Sequence, residues 1–126
     1  MPLKEILLID DDQDDLDNFI DAIGSLNKNV SCHTLRSPLK ALEELADSKK
    51  MPDLILLDYN MPYLNGMEFL RRLRAYPGLE GIEVVMFSTP EENVMLPWLA
   101  KNGISVKYIS KPDTFEELKT LFSAML

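Results

Sequence analysis

The sequence predicts a doubly wound α/β fold built on a five-stranded parallel sheet. Three observations carry that prediction. Strand-like runs alternate with helix-period stretches five times along the chain, which is the pattern of a parallel sheet with helices on both faces. Three of the runs, "ILLI", "LILL" and "VVMF", are continuously apolar rather than alternating, as in strands buried on both sides. The chain has 126 residues, enough for five strand–helix units in a single domain spanning residues 1–126.

The elements follow in order. Residues 3–10 form the first strand, with Ile6, Leu7, Leu8 and Ile9 at its centre. Leu16, Phe19, Ile20, Ile23 and Leu26 then recur at helical spacing. Residues 30–36 alternate more weakly and predict an edge strand, with Cys32 as strand packing. Ser37-Pro38 supplies an N-cap followed by proline at the first helical position, and Leu39, Leu42, Leu45 and Ala46 form that helix's inner stripe. Leu54 to Leu57 is a second fully buried strand, ending in Asp58. After "YLNG" a helix turns Phe69, Leu70 and Leu73 inward.

"IEVVMFST" is the fourth strand and ends in Ser88 and Thr89. The helix expected over residues 91–102 contains Pro97, which predicts either a late start or a kink. "VKYIS" is the fifth strand. The last helix is expected over residues 113–125, with Asp113 and Glu116 as an approximate capping box and Phe115, Leu118, Phe122 and Met125 inward. Right-handed crossovers and five strands favour the order 2-1-3-4-5, a flavodoxin-like (βα)5 three-layer sandwich.

Composition excludes several functions. Net charge is −8, which argues against nonspecific binding to nucleic acid or to an anionic membrane. One histidine, His33, and one cysteine, Cys32, cannot build a structural zinc site. No apolar run is long enough for a bilayer-spanning helix. Acid follows the N-terminus too early for a secretory signal, and the lone cysteine fits a reducing cytoplasm. Trp98 and the methionines read as core or helix-face residues; Lys107, Arg71, Arg72 and Arg74 read as solvated faces.

The charged stretch after the first strand is unusual. Six of the eight residues from Asp10 to Asp17 are aspartate. At about 4 Å and an effective dielectric near 20, each like-charged pair costs roughly 4 kcal/mol. In an open parallel sheet the site lies beyond the carboxyl ends of the strands. Those ends carry Asp10 and Asp11, Asp58, Ser88 and Lys111. Three carboxylates facing one another require a cation, and an all-oxygen set suits a hard ion such as Mg²⁺. A carboxylate beside Mg²⁺ can attack a phosphoryl donor and become an acyl phosphate, with Ser88 and Lys111 placed to hold phosphoryl oxygens. Asp12 predicts the N-cap of the first helix, and Asp14, Asp15 and Asp17 favour its dipole.

In the order and spacing of "ILLIDD", "LILLDYNMP", "VVMFST" and "YISKP", the chain resembles the receiver domain of two-component response regulators. The resemblance implies Asp58 as phosphoacceptor and Asp11 as a direct metal ligand. It implies that Asp10 acts mainly through a metal-bound water and that Asn60 lends its backbone carbonyl to Mg²⁺. Lys111 matches the lysine that holds the phosphoryl group, and Pro112 implies a cis Lys-Pro bond. Ser88 matches the hydroxyl switch position, and Tyr108 the aromatic that turns inward when that hydroxyl moves. The implied partners are a histidine kinase or histidine phosphotransfer protein as donor and a downstream protein target, with no nucleic acid and no membrane.

Thr89 departs from the small residue the family often has there and would narrow access to the phosphoryl group. Pro90, Pro97 and the "GISVKY" stretch depart on the face formed by helix 4, strand 5 and helix 5. No output domain is recognisable, so the expectation is a stand-alone switch that catalyses only its own phosphorylation and dephosphorylation. The competing readings are weaker. An aspartate-dependent phosphatase would want a second acid two residues after Asp58, where Asn60 stands; a flavodoxin-like cofactor binder would want a phosphate cradle where "DDDQDD" stands. A degenerate receiver serving as a constitutive interaction module would not need the intact set of acids, hydroxyl and lysine.

Overall fold

The computed structural model describes residues 3–47 and 51–126. Its elements run β1 (Lys4–Ile9), α1 (Gln13–Gly24), β2 (Val30–Leu35), α2 (Pro38–Asp47), β3 (Leu54–Leu57), α3 (Gly66–Ala75), β4 (Glu83–Ser88), α4 (Glu92–Lys101), β5 (Lys107–Ser110) and α5 (Phe115–Met125). The sheet order is β2-β1-β3-β4-β5, and each neighbouring pair is parallel. The predicted topology is the observed one. The chain leaves β1 for one side of the sheet and returns to the other at β3, so a crevice opens where the two part.

The continuous apolar runs are explained by two cores. Leu7, Ile9, Ile55, Leu57 and Met86 pack toward α2, α3 and α4, meeting Ala41, Leu45, Phe69, Leu70 and Leu99. Ile6, Leu8, Leu54, Leu56, Val85 and Phe87 pack toward α1 and α5. Phe19, Phe87 and Phe122 meet there in tilted and edge-on contacts, with ring centroids 5.1–6.0 Å apart. Successive strand residues point to opposite faces, so a strand covered on both sides can be apolar throughout. β2, at the edge, alternates as predicted, with partly buried and exposed residues in turn.

The helix starts are written in short polar side chains. Asp12 caps α1 and accepts from the amides of Asp14 and Asp15. The Lys40 amide donates to Ser37 Oγ at the start of α2, and Asn65 caps α3 by accepting from the Glu68 amide.

Several helix details differ from the sequence expectation. Leu39 is 47% exposed and Ile20 39%, while Ala41 and Ala22 are fully buried. The close faces of α2 and α1 are thus turned toward small residues, which allow the helices to approach the sheet. Thr114, not Asp113, caps α5 and accepts from the Glu117 amide, so the capping pair lies one residue later. That shift leaves Phe115 at the first helical position and 42% exposed instead of inward. Pro97 neither delays nor ends α4, which starts at Glu92 and carries proline inside it; the Asn93 carbonyl there loses its usual donor. Arg71 and Arg74 are not only solvated, because they donate to the carbonyls of Asn102 and Ser105 and tie α3 to the loop before β5.

Candidate functional site

Backbone hydrogen bonds continue the sheet ladder just past the strands and set the site residues side by side. The Asp10 amide donates to the Leu35 carbonyl, the Asp58 amide to Ile9 and the Lys111 amide to Ser88. The side chains therefore converge at the carboxyl edge although they come from β1, β3, β4 and β5. Asp10, Asp58 and Ser88 are buried, and Asp11 is half-buried. Asp10, Asp11 and Asp58 each offer an oxygen within 4.8 Å of the others. This donor set, oxygen alone and strongly anionic, fits a hard divalent cation. Asn60 follows on the same loop and is exposed.

Each buried carboxylate has partial compensation. Asp58 Oδ1 accepts from Ser88 Oγ at 2.5 Å and from the Tyr59 amide at 2.9 Å. Asp10 accepts from the Asp12 amide at 3.0 Å and from Lys111 Nζ at 2.7 Å. Lys111 Nζ stands 3.7 Å from Asp58 Oδ1 and 5.7 Å from the centroid of the Phe19 ring, so its stem links the α1–α5 core to the site. Burial pushes the Asp10 carboxyl up to about 6, against the lowering effect of Lys111. Burial also raises Asp58, opposed by Ser88 and Lys111. For Lys111, burial disfavours the charge, but hydrogen bonds to Asp10 and Asp15 outweigh it and hold the ammonium above its ordinary range.

This pattern predicts an acid-favoured metal-free protein. Asp10 titrates near 3.8 when unfolded and about 6 when folded, so the folded form binds its proton more tightly. The stabilising contribution is complete below 3.8 and disappears as pH rises through 6. Urea unfolding without divalent ions should therefore show a loss on the order of 2–3 kcal/mol from this group between pH 4 and pH 7. Flat stability across that window would contradict the assignment.

Gly66 closes the loop beneath Asp58. Its amide donates to the Tyr59 carbonyl at 2.8 Å, and an added Cβ would stand 2.5 Å from the Asp58 carbonyl oxygen and 3.0 Å from Tyr59 Cα. Both neighbours are backbone and cannot swing aside. Gly66→Ala is expected to cost roughly 1–3 kcal/mol in urea unfolding.

Tyr108 lies inward, 4% exposed, with its hydroxyl donating to the Pro90 carbonyl. Burial, with the Asp58 charge second, pushes that hydroxyl up to about 12. The Lys111–Pro112 bond is trans, since no described peptide bond is cis. Trans is the lower-energy form of an X–Pro bond, and Lys111 reaches the crevice in that form.

Asp15 is the site residue that sequence reasoning misses. The sequence assigns it to the dipole of α1, but its Oδ2 accepts from Lys111 Nζ at 2.7 Å. The available signal is helical geometry: Asp15 stands four residues before the buried Phe19, on the same face of α1, where both border Lys111 and, on α5, Leu118. A second unexpected link joins Trp98 Nε1 to Tyr59 Oη at 2.8 Å, connecting α4 to the residue after Asp58.

The family model for the response regulator receiver domain matches residues 6–123. The chain belongs to that family. The receiver domain is 29% identical to the two-component response regulator-like protein APRR3 of Arabidopsis thaliana over 97% of its own length and 24% of the relative's. It is 33% identical to the phosphate regulon transcriptional regulatory protein PhoB of Rhizobium meliloti strain 1021, over 66% of this chain and 36% of that one. It thus spans well under half of these curated relatives. Among solved structures it resembles the phosphorylated cyanobacterial phytochrome response regulator RcpA, with a TM-score of 0.83 and 26% identity over 98% of this chain and 91% of the other. The bacteriophytochrome response regulator RtBRR superposes with a TM-score of 0.75 and 28% identity, over 98% and 77%. Receiver domains are phosphorylation-activated switches that bind Mg²⁺ at an acidic site and receive phosphoryl groups from histidine kinases or phosphotransfer proteins. No helix among the described residues is long and apolar enough to cross a membrane.

Proposed function

We propose that this receiver domain accepts a phosphoryl group on Asp58 in a Mg²⁺-dependent reaction and thereby changes its protein-binding face. The supporting observation is the convergence of Asp10, Asp11, Asp58, Ser88 and Lys111 on one crevice from four strand ends. Asp10, Asp11, Asp58 and the backbone carbonyl of Asn60 would hold Mg²⁺, which when bound supplies charge neutralisation for phosphoryl transfer.

An oxygen of the Asp58 carboxylate attacks the donor phosphorus. The new P–O bond forms as the bond from phosphorus to the donor's imidazole nitrogen breaks, and the electron pair stays on nitrogen. Lys111 Nζ, 3.7 Å from Asp58 Oδ1, needs a small displacement to hold a phosphoryl oxygen. The Ser88 hydroxyl, which now donates to Asp58 Oδ1, would turn to the phosphoryl group. Ser88 ends β4 and Pro90 lies in the loop that follows it, and Tyr108 donates to the Pro90 carbonyl, so movement of that loop reaches β5 and the face it shares with α4. Thr89 is exposed beside this path and would slow approach of small donors or of water. A cytoplasmic location and a histidine kinase or phosphotransfer donor fit this chemistry.

The test is incubation with acetyl phosphate and Mg²⁺ followed by intact mass. A gain of one phosphoryl group that EDTA prevents supports the reading. No gain across a range of small donors and kinases would overturn it.

A further inference from the structure

Asp15 stands in the first turn of α1, where any carboxylate favours the helix dipole. Its neighbours behave as that explanation requires: Asp14 and Asp17 are exposed, and Asp12 caps the helix. Asp15 instead crosses to the end of β5 and pairs with Lys111, whose side chain is 11% exposed. The same ammonium is held by Asp10 at 2.7 Å and stops 3.7 Å from Asp58.

The two close partners differ in one respect. Asp10 belongs to the three-carboxylate cluster, and Asp15 does not. A divalent cation seated among those carboxylates competes with Lys111 for Asp10. An ammonium this buried is costly to leave without an acceptor. We propose that Asp15 is a positioning residue: it retains Lys111 when Asp10 turns to the cation, so that the cation binds without stranding the ammonium. This inference rests on the metal site proposed above. It adds a residue from α1 to a site otherwise built from strand ends.

The experiment is Mg²⁺ titration by calorimetry of the wild-type chain, Asp15→Asn, Asp15→Glu and Asp14→Asn, each checked for folding by metal-free thermal unfolding. Asp14→Asn makes the same charge change one residue away on an exposed position. Asp15→Asn is expected to weaken Mg²⁺ about tenfold, as loss of a supporting partner does elsewhere. Asp14→Asn should change it less than about twofold, since exposed charges are screened, and Asp15→Glu should recover part of the loss. In a Lys111→Met background, Asp15→Asn should have no further effect. Equal weakening by Asp14→Asn and Asp15→Asn, no weakening by Asp15→Asn, or an undiminished effect without Lys111 would each overturn the proposal. A wild-type chain that binds no Mg²⁺ would instead overturn the metal reading beneath it.

Discussion

Asp58→Asn is expected to take up no phosphoryl group from acetyl phosphate and Mg²⁺, and yet to be more stable than the wild type without metal. The first effect is chemical. An amide oxygen is a poor nucleophile toward phosphorus, and neither Asp10, held by Lys111 and the Asp12 amide, nor Asp11 has the Ser88 and Tyr59 donors that frame Asp58. The second is electrostatic. Asp58 is 6% exposed and sits beside Asp10 and Asp11. Each like-charged pair costs roughly 4 kcal/mol at close range and an effective dielectric near 20, and loss of the attraction to Lys111 cancels part of that. A net gain on the order of 1–2 kcal/mol is expected, which raises the melting temperature by several degrees in a chain of this size. Asparagine retains an oxygen for Ser88 and Tyr59, so the loop keeps its hydrogen bonds. Mg²⁺ should stabilise this variant less than the wild type. Phosphoryl uptake by Asp58→Asn would show that another residue accepts it.

Lys111→Met is expected to have the opposite sign in the metal-free state. Lys111 is the ammonium shared by Asp10 and Asp15, with Asp58 close behind. Methionine preserves much of the stem's packing on Phe19 but leaves the buried Asp10 without its cationic partner. Removing one member of a buried pair costs roughly 3–5 kcal/mol. Urea unfolding in EDTA should show that loss near pH 7. It should shrink at pH 5, where Asp10 takes a proton more readily, and shrink again on adding Mg²⁺. A variant as stable as the wild type in EDTA would mean that the crevice tolerates its charge without Lys111.

Some parts of this molecule are legible because they depend on local pattern. A strand covered on both faces has no polar register to keep, so Ile6 to Ile9 and Leu54 to Leu57 announce themselves as central strands. Short side chains with oxygen acceptors announce helix starts, as Asp12 and Ser37 do. Once the strand order follows from alternation and crossover handedness, the carboxyl ends supply Asp10, Asp11, Asp58, Ser88 and Lys111 without any coordinates. Helix faces are less legible. Leu39 satisfies a helical stripe as well as Ala41 does, and hydrophobicity favours the larger residue. How closely a helix approaches the sheet decides between them, and small residues win where the approach is tight. The α5 cap fails for a related reason, since Asp113 and Thr114 are both competent caps one residue apart.

The amino-acid sequence alone determined the layer order, the edge character of β2 and the set of residues at the carboxyl edge, because these follow from periodicity and from the handedness of parallel connections. Only the tertiary structure decided the partners inside that set. Lys111 lies 96 residues from Asp15 and 101 from Asp10, and Trp98 lies 39 from Tyr59. Six aspartates near β1 offer similar chemistry. Which of them meets the ammonium depends on the packing of α1 against α5 over the sheet, a distance set by Phe19, Phe87 and Phe122 and not written in any local motif.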